Sequence, residues 1–137
     1  MEQPSKLFTV AEATQLLDRV RPLVEQLQHR QRSLLELARR LDGHREKLSA
    51  GNGYPVQKLQ RSVAELTGRQ RRMAQQFEAA LARLEELGGV LKDLDQGLVD
   101  FYSLREGELV FLCWRLGESQ VGFWHSLETG FASRQPV

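Results

Sequence analysis

The chain of 137 residues has a single cysteine and no long apolar run. One cysteine, Cys113, excludes a disulfide within the chain and any zinc site built from several cysteines. A helix that spans a bilayer needs about 20 consecutive apolar residues, and no such run occurs. The opening residues, MEQPSKLF, also lack the apolar stretch of a signal peptide. These absences predict a cytoplasmic protein with no membrane segment.

The sequence also lacks the short motifs that identify common catalytic and nucleotide-binding sites. It contains neither GxxxxGK[ST] nor GxGxxG, which cradle phosphates, and no HExxH pair of zinc ligands. Nineteen Lys and Arg against eighteen Asp and Glu leave a net charge of +1, so the overall charge does not indicate a nucleic-acid partner. No cofactor, substrate or activity follows from these patterns, and the chain could be an enzyme or a binding protein.

The balanced total charge conceals two regions of different composition. Residues 1–89 carry a net charge of +4 and are rich in helix-forming Leu, Gln, Arg, Glu and Ala, whereas residues 90–137 carry −3. Seven of the ten aromatic residues lie in the second region, and seven of the eleven glycines lie between Gly88 and Gly130. That composition is typical of strands and turns. The division predicts a helical part followed by a small β-rich cap, both within one structural domain.

Two heptad patterns predict the helices. Apolar residues recur at alternating steps of three and four across residues 10–48 and again across residues 56–87, with a turn-forming segment between them. Thr9 and Glu12 have the spacing of a capping box at the start, and Pro55 suits the start of the second helix. We read Pro22 as a kink within the first helix, because the heptad phase continues through it. The pattern predicts a long antiparallel, coiled-coil-like helical hairpin.

Short apolar runs after residue 89 predict the β-sheet. Residues 90–94, 98–101, 109–116 and 121–125 have strand composition and are separated by turn-forming residues, whereas residues 126–137 show no clear period. We expect three or four mainly antiparallel strands. The predicted fold class is therefore α+β, with the sheet packed on the base of the hairpin.

The length of the hairpin predicts self-association. A helix over residues 10–48 would extend about 58 Å, and two such helices cannot bury a wide apolar face by themselves. Four residues beside the heptad seam widen that face and are candidates for an oligomer interface: Leu17, Val24, Leu35 and Ala38. A homodimer is the economical way to cover them, and docking of the sheet could do part of the same work. The preferred function is accordingly a homo-oligomeric interaction or scaffold module.

A second hypothesis places a ligand or metal site in the C-terminal sheet. Its candidate residues are Asp100, Glu118, His125 and Arg134, which supply two carboxylates, an imidazole and a guanidinium on separate strands or turns. Carboxylate and imidazole are ligands that Zn²⁺, Mn²⁺ or Fe²⁺ accept, but the spacing alone does not require convergence. These groups could equally form ion pairs that stabilise the hairpins of the sheet.

Cys113 and the arginine clusters allow two further interpretations. Cys113 lies in an apolar strand and is expected to act as a small buried hydrophobic residue, although a thiol–imidazole pair with His125 is conceivable. A third hypothesis is a nucleic-acid-binding arm, which would use Arg69, Arg71 and Arg72 together with Arg39, Arg40 and Arg45. Ordinary helix-surface charge explains these arginines more simply, so the sequence weighs against a nucleic-acid partner.

Several segments resemble one bacterial family over nearly the whole chain. They are FTVAEA at residues 8–13, DLDQGLVDF at 93–101, LCWRLGE at 112–118, WH at 124–125 and GFASR at 130–134. The family they resemble is an uncharacterised one, domain of unknown function 2203. The resemblance implies a small bacterial cytoplasmic protein with no assigned activity, so it carries over no catalytic residues.

Overall fold

A computed structural model describes residues 4, 6–51 and 53–137, and it has the α+β architecture that the sequence predicts. Two long helices packed together are followed by five β-strands and one short 3₁₀-helix. The helices are α1 (Val10–Ala50) and α2 (Val56–Glu86), and the strands are β1 (Gly89–Asp93), β2 (Leu98–Arg105), β3 (Glu108–Arg115), β4 (Phe123–Ser126) and β5 (Gln135–Pro136). The 3₁₀-helix covers Phe131–Ser133. Neither helix combines the length and the apolar composition that a bilayer crossing requires, within the residues described.

The first helix begins at the capping box and runs through its proline. The backbone N–H of Thr9 donates to Glu12 Oε1 at 2.9 Å, and the N–H of Glu12 donates to Thr9 Oγ1 at 3.1 Å. These reciprocal bonds satisfy two of the amides that a helix start leaves without intrahelical partners. Pro22 lies inside α1, which is assigned as one continuous helix of 41 residues.

The chain divides into two compact units. The hairpin unit is His29–Ala79, and the sheet unit combines the described residues up to Gln28 with Ala80–Val137. Each helix therefore contributes to both units. The sequence placed its division near residue 89, where the composition changes, whereas the division by contacts lies within the helices.

The hairpin unit has a narrow apolar core between α1 and α2. Its cluster consists of Leu37, Leu41 and Leu66, with Val63 and Met73 packed against it and partly buried. The guanidinium of Arg30 donates to the side-chain oxygen of Gln76 at 2.6 Å. This contact pairs the beginning of the α1 portion with the end of the α2 portion, as an antiparallel hairpin requires.

The sheet unit contains an antiparallel meander with the strand order β1-β2-β3-β4-β5. Five strands form where three or four were expected. The additional strand, β5, lies in the C-terminal segment that has no sequence period, and it pairs with β4 through only two residues. A strand of two residues is too short for alternation to reveal it.

A two-residue turn sets the register of the central hairpin. Glu106 and Gly107 both have positive φ, 52° and 81°, as a tight turn between two twisted strands requires. The sequence predicted a turn here. The pairing that results places Asp100 directly opposite Cys113 and Tyr102 opposite Phe111.

One face of the sheet packs on the helical segments of the sheet unit. Leu84 of α2 lies against Gly89 and Val99, so closely that a Cβ built on Gly89 would stand 2.7 Å from the Leu84 side chain. The Thr14 hydroxyl accepts a hydrogen bond from the backbone N–H of Val121 at 3.2 Å. Val99, Phe101 and Trp114 are completely buried. Residues of this face alternate along each strand with those of the opposite face.

The four residues expected at an oligomer interface differ in exposure. Leu17 and Val24 are 2% and 0% exposed within a single chain, so in this structure they offer no surface to a second copy. Leu35 is 53% exposed, and Ala38 is half-buried. Leu35 is therefore the clearest apolar residue of the four that a partner could cover.

Candidate functional site

The sheet face opposite the helices carries a buried cluster of three polar side chains, Asp100, Cys113 and His125. Each is at most 3% exposed, and their potential metal-ligating atoms all lie within 4.8 Å of one another. Asp100 on β2 faces Cys113 on β3 in register, and His125 on β4 lies opposite Phe111. The side chains of Asp100 and His125 thus reach toward each other across β3.

Asp100 and His125 form a direct contact that requires a proton. The Asp100 Oδ2 lies 2.8 Å from His125 Nε2, and His125 Nδ1 lies 2.8 Å from the Ser126 carbonyl oxygen. A carbonyl oxygen only accepts, so Nδ1 carries a hydrogen and donates it to Ser126. Nε2 and Oδ2 would then both be acceptors, and a proton must lie between them. The pair is either carboxylic acid with imidazole or carboxylate with imidazolium.

Burial raises the pKa of Asp100 above its ordinary value, because it disfavours the carboxylate. The charge and hydrogen bond of His125 act in the opposite direction, and the adjacent Cys113 thiol and the positive charge of Lys92 do so more weakly. The second carboxylate oxygen, Oδ1, is buried and has no hydrogen-bond partner in the described structure. A buried polar atom without a partner costs about 1–3 kcal/mol, so this oxygen marks a place where a further group would be stabilised.

The Cys113 thiol is protonated at neutral pH. Burial raises its pKa to about 12, and the charge of Asp100 adds to that effect, whereas Arg134 acts to lower it. Neither imidazole nitrogen hydrogen-bonds to the thiol, since one contacts Ser126 and the other contacts Asp100. A nucleophilic cysteine needs a depressed pKa and a base in contact, so this arrangement does not activate Cys113 for nucleophilic attack.

A second pair of side chains lies beside the cluster. Two nitrogens of the Arg134 guanidinium donate to the two carboxylate oxygens of Glu118, at 3.0 and 2.7 Å. The guanidinium carbon lies 3.9 Å from the ring centroid of Phe123, which is the residue opposite Cys113 on β4, and 4.2 Å from that of Phe131. Burial is the largest single influence on the pKa of Arg134 and acts to lower it, but Glu118 and Cys113 together outweigh burial and the pKa is raised. The charge of Arg134 is thus largely compensated by Glu118.

The structure brings the four candidate residues together as two pairs, Asp100 with His125 and Glu118 with Arg134. The sequence considered Cys113 only as a thiol partner of His125 and did not include it among the candidate ligands with Asp100. The turn at Glu106–Gly107 could have predicted that Cys113 lies beside Asp100, because a two-residue turn there places residue 100 opposite residue 113. No comparable sequence feature predicted that His125 lies near Asp100, because the connection from β3 to β4 is longer and irregular and does not fix the pairing of the two strands.

Comparison with known protein families gives one match. A family described as "Uncharacterized conserved protein (DUF2203)" matches residues 6–137, essentially the whole chain. The chain belongs to this family. Neither a curated protein nor a solved structure matched the sequence significantly.

Proposed function

We propose that this member of the DUF2203 family binds a divalent transition-metal ion through Asp100, Cys113 and His125. The observation that carries the proposal is the convergence of one oxygen, one sulfur and one nitrogen donor, all buried, within 4.8 Å of one another. Cysteine and histidine together favour Zn²⁺ and similar ions over Mg²⁺ or Ca²⁺, which prefer oxygen ligands.

The hydrogen bond from His125 to Ser126 supports Nε2 as a ligand. Metal-bound histidines commonly donate their second ring N–H to a backbone carbonyl, which holds the ring and directs the other nitrogen at the metal. Here Nδ1 donates to the Ser126 carbonyl, and Nε2 is directed at Asp100. An ion bound by both Nε2 and Oδ2 would replace the proton that lies between them. Ligands of zinc stand about 3.4–3.7 Å apart, so the two atoms would separate by less than 1 Å.

The charges of the site suit a divalent ion. Carboxylate and thiolate together supply two negative charges, and Asp100 Oδ1, which has no partner, can supply a fourth donor. Lys92 opposes a cation, since its charge acts on Asp100, whereas the charge of Arg134 is compensated by Glu118. Binding must release two protons per ion, one from the Cys113 thiol and one from the Asp100–His125 pair.

Titration of the reduced, metal-free protein with Co²⁺ tests the proposal, because thiolate ligation of cobalt gives a charge-transfer band in the near ultraviolet. We expect one ion per chain, displacement by Zn²⁺, and release of two protons, measured calorimetrically in buffers of different ionisation enthalpy. Cys113→Ser should remove the charge-transfer band, and Asp100→Asn or His125→Gln should weaken binding by at least tenfold.

Two distant substitutions serve as matched controls. His44→Gln and Asp95→Asn remove the same types of side chain outside the cluster and should leave binding unchanged. Circular dichroism of each variant identifies any that has lost its fold. Asp100→Asn preserves the size and shape of the side chain, so it is the variant expected to disturb the fold least. A folded wild-type protein that takes up no Co²⁺ or Zn²⁺ at micromolar concentrations, or a Cys113→Ser variant that keeps the band, would contradict the proposal.

We propose as a second function that the chain self-associates as an interaction module. The observation that favours it is Leu35, a large apolar side chain that is 53% exposed in the middle of a long helix. Light scattering over a range of concentrations should show a dimer that Leu35→Lys weakens. A monomer at every concentration would contradict it. A cytoplasmic location and a bacterial source stay predictions of the sequence.

A further inference from the structure

The hairpin unit concentrates positive charge that the total charge of the chain conceals. His29–Ala79 contains eleven Lys and Arg against five Asp and Glu, a net charge of +6 in 51 residues. The remainder of the chain contains eight against thirteen, a net charge of −5. A net charge of +6 within one compact unit produces a positive surface potential, which favours an anionic partner.

The charge forms a stripe along one face of α2. Positions 58, 61, 65, 69, 72 and 76 are separated by three or four residues, so they share one face of the helix. Four of the six residues are basic, namely Lys58, Arg61, Arg69 and Arg72, and one, Glu65, is acidic. The basic stripe defined by these four residues extends about 21 Å at 1.5 Å per residue.

The four basic side chains are available to a partner. All of them are exposed, and none takes part in an ion pair within the part of the chain that the structure describes. The Arg72 guanidinium lies near Gly68, where a Cβ would stand 3.4 Å from one of its nitrogens.

The composition of the stripe distinguishes between kinds of polyanion. Proteins that hold single-stranded nucleic acid combine cations with aromatic residues on which bases stack, and the stripe contains no aromatic residue. A helix lying on a membrane surface needs an apolar face turned to the lipid, whereas Leu59 and Leu66, on the apolar side of α2, are buried. A row of three exposed guanidinium groups and one ammonium group along a single helix face suits the phosphates of a rigid duplex, which such cations contact without reading bases.

We propose that the basic stripe binds the phosphate backbone of double-stranded nucleic acid without sequence preference. The site is separate from the metal cluster, and its four cations act together. The expected affinity is that of non-specific binding, with a Kd of about 10⁻⁴–10⁻⁶ M at physiological salt. Because each neutralised phosphate releases counterions, the logarithm of the binding constant should fall against the logarithm of salt concentration with a slope near −3.6.

Fluorescence anisotropy of a short labelled duplex DNA, titrated with the full chain at several salt concentrations, tests the proposal. The triple variant Arg61→Gln, Arg69→Gln and Arg72→Gln should retain one of the four contacts, so the slope should fall to about −1. The matched control is Arg32→Gln, Arg39→Gln and Arg45→Gln, which removes the same charge from α1 and should change the slope by less than 1.

Three results would overturn the proposal. The first is no binding of duplex DNA at low salt. The second is an equal loss in the two triple variants, which would mean that total charge and not the stripe is responsible. The third is binding to vesicles of phosphatidylserine and phosphatidylcholine without binding to duplex DNA, which would assign the stripe to a membrane surface. Competition by unlabelled duplex of unrelated sequence, with equal strength, supports backbone contact.

Discussion

The two compact units of this protein differ in what they bury. The core of the hairpin unit is a cluster of three leucines with two partly buried neighbours, and its charged residues are at the surface or only partly covered. The sheet unit buries whole aromatic side chains, and all three buried polar residues of the described chain belong to it, namely Asp100, Ser103 and His125. The hairpin unit is also poorer in apolar residues, with 17 in 51 against 39 in 86 for the sheet unit.

This difference in burial determines which unit can hold a buried polar site. A two-helix core is narrow, and in the hairpin unit no polar or charged residue that the structure describes is buried as a whole, although the Nε atom of Arg30 is. A sheet covered on both faces can enclose polar groups completely, and burial then shifts the pKa of Asp100 and Cys113 upward. The hairpin unit is thus suited to surface recognition, and the sheet unit is suited to a buried site.

The largest expected effect is on the cores themselves. Trp114 is completely buried, and its indole N–H donates to the Glu118 carbonyl oxygen at 2.9 Å. Trp114→Ala should lower the free energy of unfolding by about 3–5 kcal/mol, because it removes a large buried side chain and leaves a cavity. Leu66→Ala in the hairpin unit should cost about 2 kcal/mol, since its partly buried neighbours can close the gap. Urea denaturation measures both, and a larger loss for Leu66→Ala would break the comparison.

Glycine-to-alanine substitutions sharpen the same comparison. Gly97 in the sheet unit has φ +69°, and an added Cβ would stand 2.6 Å from Leu116 Cβ, so Gly97→Ala should destabilise by about 2 kcal/mol. Gly43 lies in the interior of α1 with nothing within 4 Å of an added Cβ. Gly43→Ala should therefore stabilise by up to about 1 kcal/mol through helix propensity. Thermal and urea unfolding report both, and equal effects of the same sign would contradict this account.

A further predicted effect is a pH dependence that belongs to the sheet unit alone. The pKa of Cys113 is about 12 in the folded chain against an ordinary value of 9.0. Between these values the folded chain keeps the thiol proton and the unfolded chain has lost it, so stability must fall as pH rises. The loss attributable to this thiol is about 1.4 kcal/mol per pH unit above pH 9.

Comparison with Cys113→Ala isolates this contribution, because all other titrating groups are present in both proteins. At pH 10 the metal-free wild-type chain should have lost about 1.4 kcal/mol more than the variant, relative to pH 8. The measurement is urea denaturation at each pH in the presence of a chelator. Parallel pH profiles for the two proteins would show that the thiol is not buried as the structure describes.

Much of the fold was predictable from the sequence because its signals are local. Heptad spacing predicted both helices, Thr9 and Glu12 predicted the start of the first, and Glu106–Gly107 predicted the central turn. Local signals did not reveal β5, which is a two-residue strand stabilised by its neighbour, β4. They also could not show that Leu17 and Val24 are buried within one chain, since burial depends on what packs against a helix.

The sequence by itself determined both helices and four of the five strands, the order in which they occur, and the residue types available for a site. Periodicity, capping and turn chemistry act over a few residues, so they can be read along the chain. The tertiary structure decided which of those residues meet. Asp100, Cys113 and His125 converge because three strands pair in one particular register, and a shift by one residue would move each side chain to the other face of the sheet. The same tertiary structure groups +6 of charge into one compact unit, although the chain as a whole carries +1.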